Sequence, residues 1–328
     1  MSHQIGKKVV SDLKRRSKKG LNFAKKTMKN EKILYPKLRH ALKYYLNNWN
    51  DFTHAGLFSA ACDAVGGNSD KIVAAQASIA LLAAAFDIQD DVIDQSLVKQ
   101  KKPTVFGKYG LEMAVLLGNA FLIKGFKLFA DTAKNLSDEN RQNALDSIQD
   151  LLFQVGNAHA MEVGMKEKKK FTPKNYLRIT ELKGASVEAD MYLGALFAGG
   201  KEKEIKILAK IGRILGILAI LRDDLIDVFD IEELNSRLSV GDLPLPLIFA
   251  MQNLEIKKRA EKIIAKPNMN DQDVDKLVDM TLESKPVVLL KEKMSELINK
   301  GLKLAEELQD SDTRKNIQLV LSFMLEDL

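Results

Sequence analysis

One cysteine (Cys62), four histidines and seven prolines in 328 residues leave the chain little material for several common designs. A single thiol excludes an intramolecular disulfide and any cysteine-rich metal centre, and it suits a reducing, cytoplasmic setting. With so few prolines and only 19 glycines, long stretches run unpunctuated, and they lack the period-2 alternation of half-buried strands. The N-terminus is charged with no apolar segment after it, so no secretory signal is expected. The longest uncharged apolar stretch, Ile72–Phe86, has 15 residues, short of the roughly 20 that a membrane span needs. Neither repeats nor low-complexity linkers are visible. What remains is an all-α, soluble chain whose 46% hydrophobic residues can bury a sizeable core.

The net charge of +6 is unevenly spread. Residues 1–30 hold ten Lys/Arg against Asp12 alone, so the remainder is about −3. Two units are therefore expected: a basic arm, residues 1–30, and one helical domain, residues 31–328. Within the arm Val9, Leu13, Leu21, Ala24 and Met28 can form an apolar stripe. We read the arm as a solvated or partly disordered terminal helix; the alternative is a basic amphipathic helix touching an anionic membrane surface. Phe23 is its one aromatic residue and it has no reader motif, so no nucleic-acid partner is expected.

Periodicity and punctuation predict helices over 33–48, 70–95 and 111–133, and from Ser137 to about 167. Thr172-Pro173 has the form of an N-cap followed by Pro at the first helical position, opening a helix to about 198. Another helix spans 202–230. A rigid connection covers 241–246, and helices fill the rest, with breaks near Pro267, at Asn270 and before Pro286.

The sharpest signal is a pair of matching clusters 133 residues apart, Asp90-Asp91-Val92-Ile93-Asp94 and Asp223-Asp224-Leu225-Ile226-Asp227. At about 100° per residue, each triplet of carboxylates falls within one arc of a helix face. Asp87 extends the first by a turn. Three acids among apolar neighbours repel one another while partly desolvated. Hard divalent cations relieve that repulsion, and an all-carboxylate donor set favours Mg2+, which commonly bridges carboxylates to substrate phosphates. A helical di-iron centre would need Glu-x-x-His pairs. The nearest spacing, His159 to Glu162, is reversed, so His159 reads as an ordinary histidine.

This constellation resembles the trans-isoprenyl diphosphate synthases, or polyprenyl synthetases, from about Leu38 onward. Ala61–Gly67, Ile88–Asp94, Lys102-Pro103-Thr104, Ala114–Asn119, Leu221–Val228 and Leu245–Ile248 carry the likeness, with Tyr176 and Lys183 in matching positions. It implies an isoprenoid synthase-type bundle, by family habit a homodimer, with a central cavity between the two aspartate-rich helices. It further implies Mg2+-dependent ionisation of an allylic isoprenoid diphosphate followed by prenyl transfer. Asp90, Asp94 and Asp223 would hold the metals, with Asp91, Asp224 and Asp227 in support. Lys99, Lys183 and Arg237 would bind the diphosphate. Phe86, with Ala83, Ala84 and Ala85, would line the floor of the chain cavity.

The departures concentrate in one place. The family's basic segment for isopentenyl diphosphate aligns with Trp49–Ala55, which has no Lys or Arg. Its helix histidine aligns with Ala83, its Arg-Arg with Lys99-Gln100, its Phe-Gln with Ala219-Ile220, and its Thr with Gly184. Three readings stay open at this point: a divergent synthase, a terpene-synthase-like lyase, and a non-catalytic subunit partnering an active synthase.

Overall fold

The computed structural model describes residues 2–99, 101–168, 172–228, 234–235, 237–238, 243–266, 269–308 and 311–326. Gln100 and the expected boundaries at 229–230, 241–242 and 267 lie outside these. Fifteen helices carry the described chain: α1 (Ser2–Lys29), α2 (Pro36–Asn48), α3 (Thr53–Ala64), α4 (Val73–Ile93), α5 (Val105–Tyr109), α6 (Leu111–Ala133), α7 (Asp138–Lys168), α8 (Pro173–Lys183), α9 (Ala185–Phe197), α10 (Glu202–Asp227), α11 (Leu245–Ala250), α12 (Leu254–Ile264), α13 (Asp271–Leu282), α14 (Lys285–Glu306) and α15 (Ser311–Phe323). The only strands among the described residues are β1 (Val98–Lys99) and β2 (Lys102–Pro103), an antiparallel pair between α4 and α5.

The helix-start signals act as expected. Thr172 caps α8 by accepting a hydrogen bond from Asn175 N–H, with Pro173 in its first turn. Asn270 and Asp273 cap α13 reciprocally. Helix α4 is apolar all round because it is buried all round. Its Ala75, Ile79 and Leu82 belong to one core cluster with α3, α7, α9 and α10. Leu81, Ala84, Ala85 and Ile88 belong to another with α2 and α6. Helix α6 is long and apolar enough to cross a membrane, the only such helix among the described residues, yet its Leu117, Phe121 and Phe129 are fully buried in the bundle.

Two expectations are corrected. The apolar stripe of residues 1–30 is not solvated: Val9 and Leu13 join the first core cluster, and Ala24 and Met28 the second. Gln76 clamps the helix to the bundle, donating to Arg16 O at 2.9 Å and Ala55 O at 2.7 Å. Most charges of α1 stay outside, Arg16 excepted, which is buried against Asp12 and Asp63, while its stripe is committed to the core, so that stripe is not available to a membrane.

The second correction is at Gly184, which divides the expected 172–198 helix into α8 and α9. Here α10 crosses so closely that a Cβ on Gly216 would stand 2.9 Å from Gly184 Cα. Gly194 lies against the backbone of Phe58 just as closely, which lets α3 and α9 meet without side chains between them.

Candidate active site

Both triplets sit at helix C-termini. Asp90 and Asp91 lie in the last turn of α4, Asp94 caps it, and Asp223, Asp224 and Asp227 end α10. That is the wrong end for acids: the carbonyl end of a helix carries partial negative charge and favours cations. Neither last turn contains a basic residue, so the cations come from elsewhere.

They come from four directions. Lys99, on β1, reaches Asp87 Oδ1 at 2.6 Å and Asp91 Oδ1 at 3.7 Å. From α7, His159 Nε2 lies 3.1 Å from Asp90 Oδ1, and Lys166 donates to Asp94 Oδ1 at 2.8 Å. Lys183, the last residue of α8, sits 3.9 Å from Asp90 Oδ1 and 2.8 Å from Glu162 Oε2. Arg237 donates from one nitrogen to Asp224 Oδ1 and Asp227 Oδ2, each at 2.8 Å. Helix α8 connects the two triplets: two turns before Lys183, the Tyr176 hydroxyl donates to Asp224 Oδ1 at 3.1 Å. Arg222, inside the second motif, points away and donates to Phe323 O, Met324 O and Glu326 O, tying α10 to the end of α15.

The titration behaviour follows from this arrangement. Burial opposes ionisation of Asp90, but the His159 hydrogen bond and the Lys183 charge outweigh it and hold Asp90 at about 2. At Asp91 burial prevails over Lys99 and, with Asp87 and Asp90 adding repulsion, pushes it to about 7. Desolvation, Asp227 and Asp224 raise Asp223 to about 6. Lys183 titrates above its usual value because Asp90 and Glu162 overcome its own burial.

A cavity of about 260 Å³ opens beside Asp90, Lys183 and His159 and runs inward past Ala83, Phe86, Leu82 and Ile220. Ala83 and Phe86 thus line it as the resemblance implied. Ala84 and Ala85 do not: they pack in the second core cluster. The sequence offered His54 as a group that could bind a second diphosphate, but not its partner. His54 Nδ1 lies 2.6 Å from Asp190 Oδ2, with Asp51 also lining the cavity. Burial works against the imidazolium, but Asp190 and then Asp51 and Asp87 raise His54 to about 9. An adjoining cavity of about 470 Å³ is lined by Trp49–Thr53, Tyr44, Tyr45, Lys99 and Lys102. It shares Asp51 and Asp87 with the first, so the segment stripped of Lys and Arg does face the site.

The structure therefore brings together Asp90, Asp91, Asp94, Lys99, Lys183 and Phe86 on one side, and Asp224, Asp227 and Arg237 with Tyr176 on the other. Asp223 projects from the same end of α10 and feels the Lys99 charge. Sequence reasoning set the His159–Glu162 spacing aside, reading His159 as an ordinary histidine, and passed over Lys166. Their spacing of three and four residues puts all three on one face of α7, but only the fold shows that this face meets the first triplet. Among the described residues, no three His, Cys, Asp or Glu side chains converge as a metal-holding group in this conformation.

An all-helical bundle whose two acidic helix ends are linked through α8, one of them lining a cavity, is an isoprenoid synthase-type fold. Residues 36–281 match the family model described as polyprenyl synthetase, and the chain belongs to that family. It is 26% identical over 274 residues to the short chain isoprenyl diphosphate synthase of Methanothermobacter thermautotrophicus, covering 80% of this chain and 82% of that one. Among solved structures, the geranylgeranyl pyrophosphate synthetase of Pyrococcus horikoshii superposes with a TM-score of 0.86 at 22% identity, covering 98% and 99% of the two chains. A polyprenyl synthase of Caulobacter crescentus, solved with calcium and isoprenyl diphosphate, gives 0.81 at 18% identity, covering 96% and 97%.

Proposed function

We propose that this protein is an isoprenyl diphosphate synthase, joining an allylic prenyl diphosphate to isopentenyl diphosphate with Mg2+. The observation that carries this is the pair of carboxylate triplets, each at the negative end of a helix and linked through Lys183 and Tyr176 of α8, with Asp90 of the first lining the cavity. The donor set fits a hard divalent cation. Six carboxylates supply only oxygen, and Asp91 and Asp223 are held at about 7 and about 6, so their ionised forms lack full compensation by the protein's own cations. Asp90, Asp94 and Asp223 would hold the metal, with Asp91, Asp224 and Asp227 completing the set. When bound, the metal supplies Lewis-acid stabilisation of charge on the departing diphosphate.

The chain's own residues do the rest. Lys183, Lys99 and Arg237, joined by Lys166, are paired with carboxylates here and present N–H donors where the diphosphate would lie. Phe86, Ala83 and Leu82 surround the prenyl tail with apolar surface. The C–O bond breaks with its electron pair leaving on pyrophosphate, and the alkene of the second substrate attacks the allylic carbon before losing a proton. The test is incubation with C10, C15 and C20 allylic diphosphates, with and without Mg2+ and isopentenyl diphosphate. Elongated product and pyrophosphate are expected only when both are present. Pyrophosphate release that ignores isopentenyl diphosphate would identify a lyase instead.

A second copy of the chain is the proposed partner. Leu116 and Ile123 lie two turns apart on α6, 50% and 70% exposed, and Phe153 of α7 is 69% exposed. Such exposure of large apolar groups on neighbouring helices fits an interface. Light scattering is expected to give a dimer mass for the protein and a monomer mass for Ile123→Asp, with helical content unchanged.

A further inference from the structure

We propose that the turn joining α1 to α2 is a membrane anchor, in which Leu34 and Tyr35 insert into an anionic lipid bilayer while Lys29, Lys32, Lys37 and Arg39 hold its headgroups. The proposal goes beyond the synthase reading and does not depend on it.

Two large apolar side chains stand outside the core at this turn. Leu34 is 74% exposed and Tyr35 60% exposed, whereas Ile33 before them and Leu38 after them pack against the second core cluster. The turn is held from within. Arg39 donates to Ile33 O at 3.0 Å and to Leu34 O at 2.9 Å, and Pro36 opens α2 directly behind Tyr35. A braced backbone therefore presents both side chains to the outside. Exposed apolar groups are ordinary when they occur singly; these two are adjacent, and they come with charge.

The charge around them is of one sign. Lys26, Lys29, Lys32, Lys37 and Arg39 are all exposed. Glu31 is the only acid between Lys26 and Arg39, and Lys124 of α6 pairs with it. Lys37 and Arg39 occupy the first turn of α2, which has no acidic residue, although the amino end of a helix favours anions. Lys14 and Lys18 continue the positive face along α1. Repulsion and exposed apolar surface thus coincide, and one partner relieves both: a layer of anionic headgroups over hydrocarbon.

Other occupants fit less well. Nucleic acid would answer the charge but leave Leu34 without apolar contact. A folded partner needs roughly 1,000 Å² or more of buried area, which two protruding side chains do not offer, whereas a bilayer receives them singly. The apolar stripe of α1 is committed to the core, so the contact is a tip insertion and not a helix lying flat in the interface. Anchored this way, the protein sits beside the phase into which prenyl chains partition.

The test is flotation of the full chain, without substrate, on phosphatidylcholine vesicles containing about one-third phosphatidylglycerol, in about 0.1 M salt. Binding is expected to these vesicles and not to pure phosphatidylcholine. Leu34→Ser combined with Tyr35→Ser is expected to weaken it on the order of ten-fold, and Lys29→Gln or Lys32→Gln roughly five-fold each, with circular dichroism unchanged. Binding that falls in the lysine variants but not in the Leu34 and Tyr35 variant would overturn the insertion. Absence of binding to the anionic vesicles would overturn it too, as would tighter binding to duplex DNA at the same salt. A halved mass for the Leu34 and Tyr35 variant in light scattering would make the turn a subunit contact instead. No arm of the test uses turnover, so its failure and the failure of the synthase reading are distinguishable.

Discussion

Replacing Asp90 or Asp223 with Asn is expected to lower turnover on the order of 10³-fold, the loss typical when a preorganised electrostatic contact to developing charge is removed. Asn preserves shape and one acceptor oxygen, so the change tests charge rather than packing. Both residues end helices at the negative pole, among other acids. Removing a charge there relieves repulsion, so the metal-free Asp223→Asn protein should melt no lower than wild type. For Asp90 the outcome differs, since its carboxylate is in contact with His159 Nε2 and faces the Lys183 charge. Loss of it leaves Lys183 with Glu162 as its remaining partner in the site, and a modest drop in melting temperature is expected. Steady-state pyrophosphate release and thermal melts, measured on both variants, check the two halves. Full activity in both would remove these residues from the metal site.

The second large effect concerns stability and lies at His54. Asp190 is 3% exposed and His54 is its ion-pair partner at 2.6 Å. His54→Ala leaves a carboxylate buried without its cation, a change that costs about 3–5 kcal/mol when a buried pair loses one member. Replacing both, His54→Leu with Asp190→Leu, should recover most of that loss, because no uncompensated charge remains.

The pair also predicts a pH dependence. His54 is raised from 6.5 to about 9, so the folded state binds its proton more tightly than the unfolded chain does. The resulting stability is fully present below about pH 6.5 and is lost as pH rises through about 9, in total roughly 3 kcal/mol. The acids that face His54 are Asp190, Asp51 and Asp87. Asp190 is itself raised by burial, against the pull of the His54 charge. Denaturant melts at pH 6 and 9.5 measure the difference. A wild-type slope as flat as that of the double variant would show that His54 carries no proton here.

Reading the two repeated aspartate triplets needed no coordinates. Identical local patterns at the ends of apolar helices have one dominant physical meaning, since like charges crowded into desolvated turns persist only where cations balance them. The helix start at Thr172-Pro173 was legible for a similar reason: capping depends on residues within one turn. The basic N-terminal segment misled because its charge is local while its destination is not. Only the grooves of α3 and α4 decide that Val9 and Leu13 are buried.

The split at Gly184 and the role of α7 were likewise beyond the sequence. Nothing near residue 184 announces that α10 will pass within contact distance, and His159, Glu162 and Lys166 gain their meaning only when α7 is laid against Asp90 and Asp94. By itself, then, the amino-acid order determined the all-helical class, the helix limits set by caps and the two acidic clusters, since each depends on residues a few positions apart. Packing alone decided which cations meet which carboxylates, and that His54 meets Asp190. Those pairings join residues up to 136 positions apart, and a contact between distant segments exists only once the chain has closed around its core.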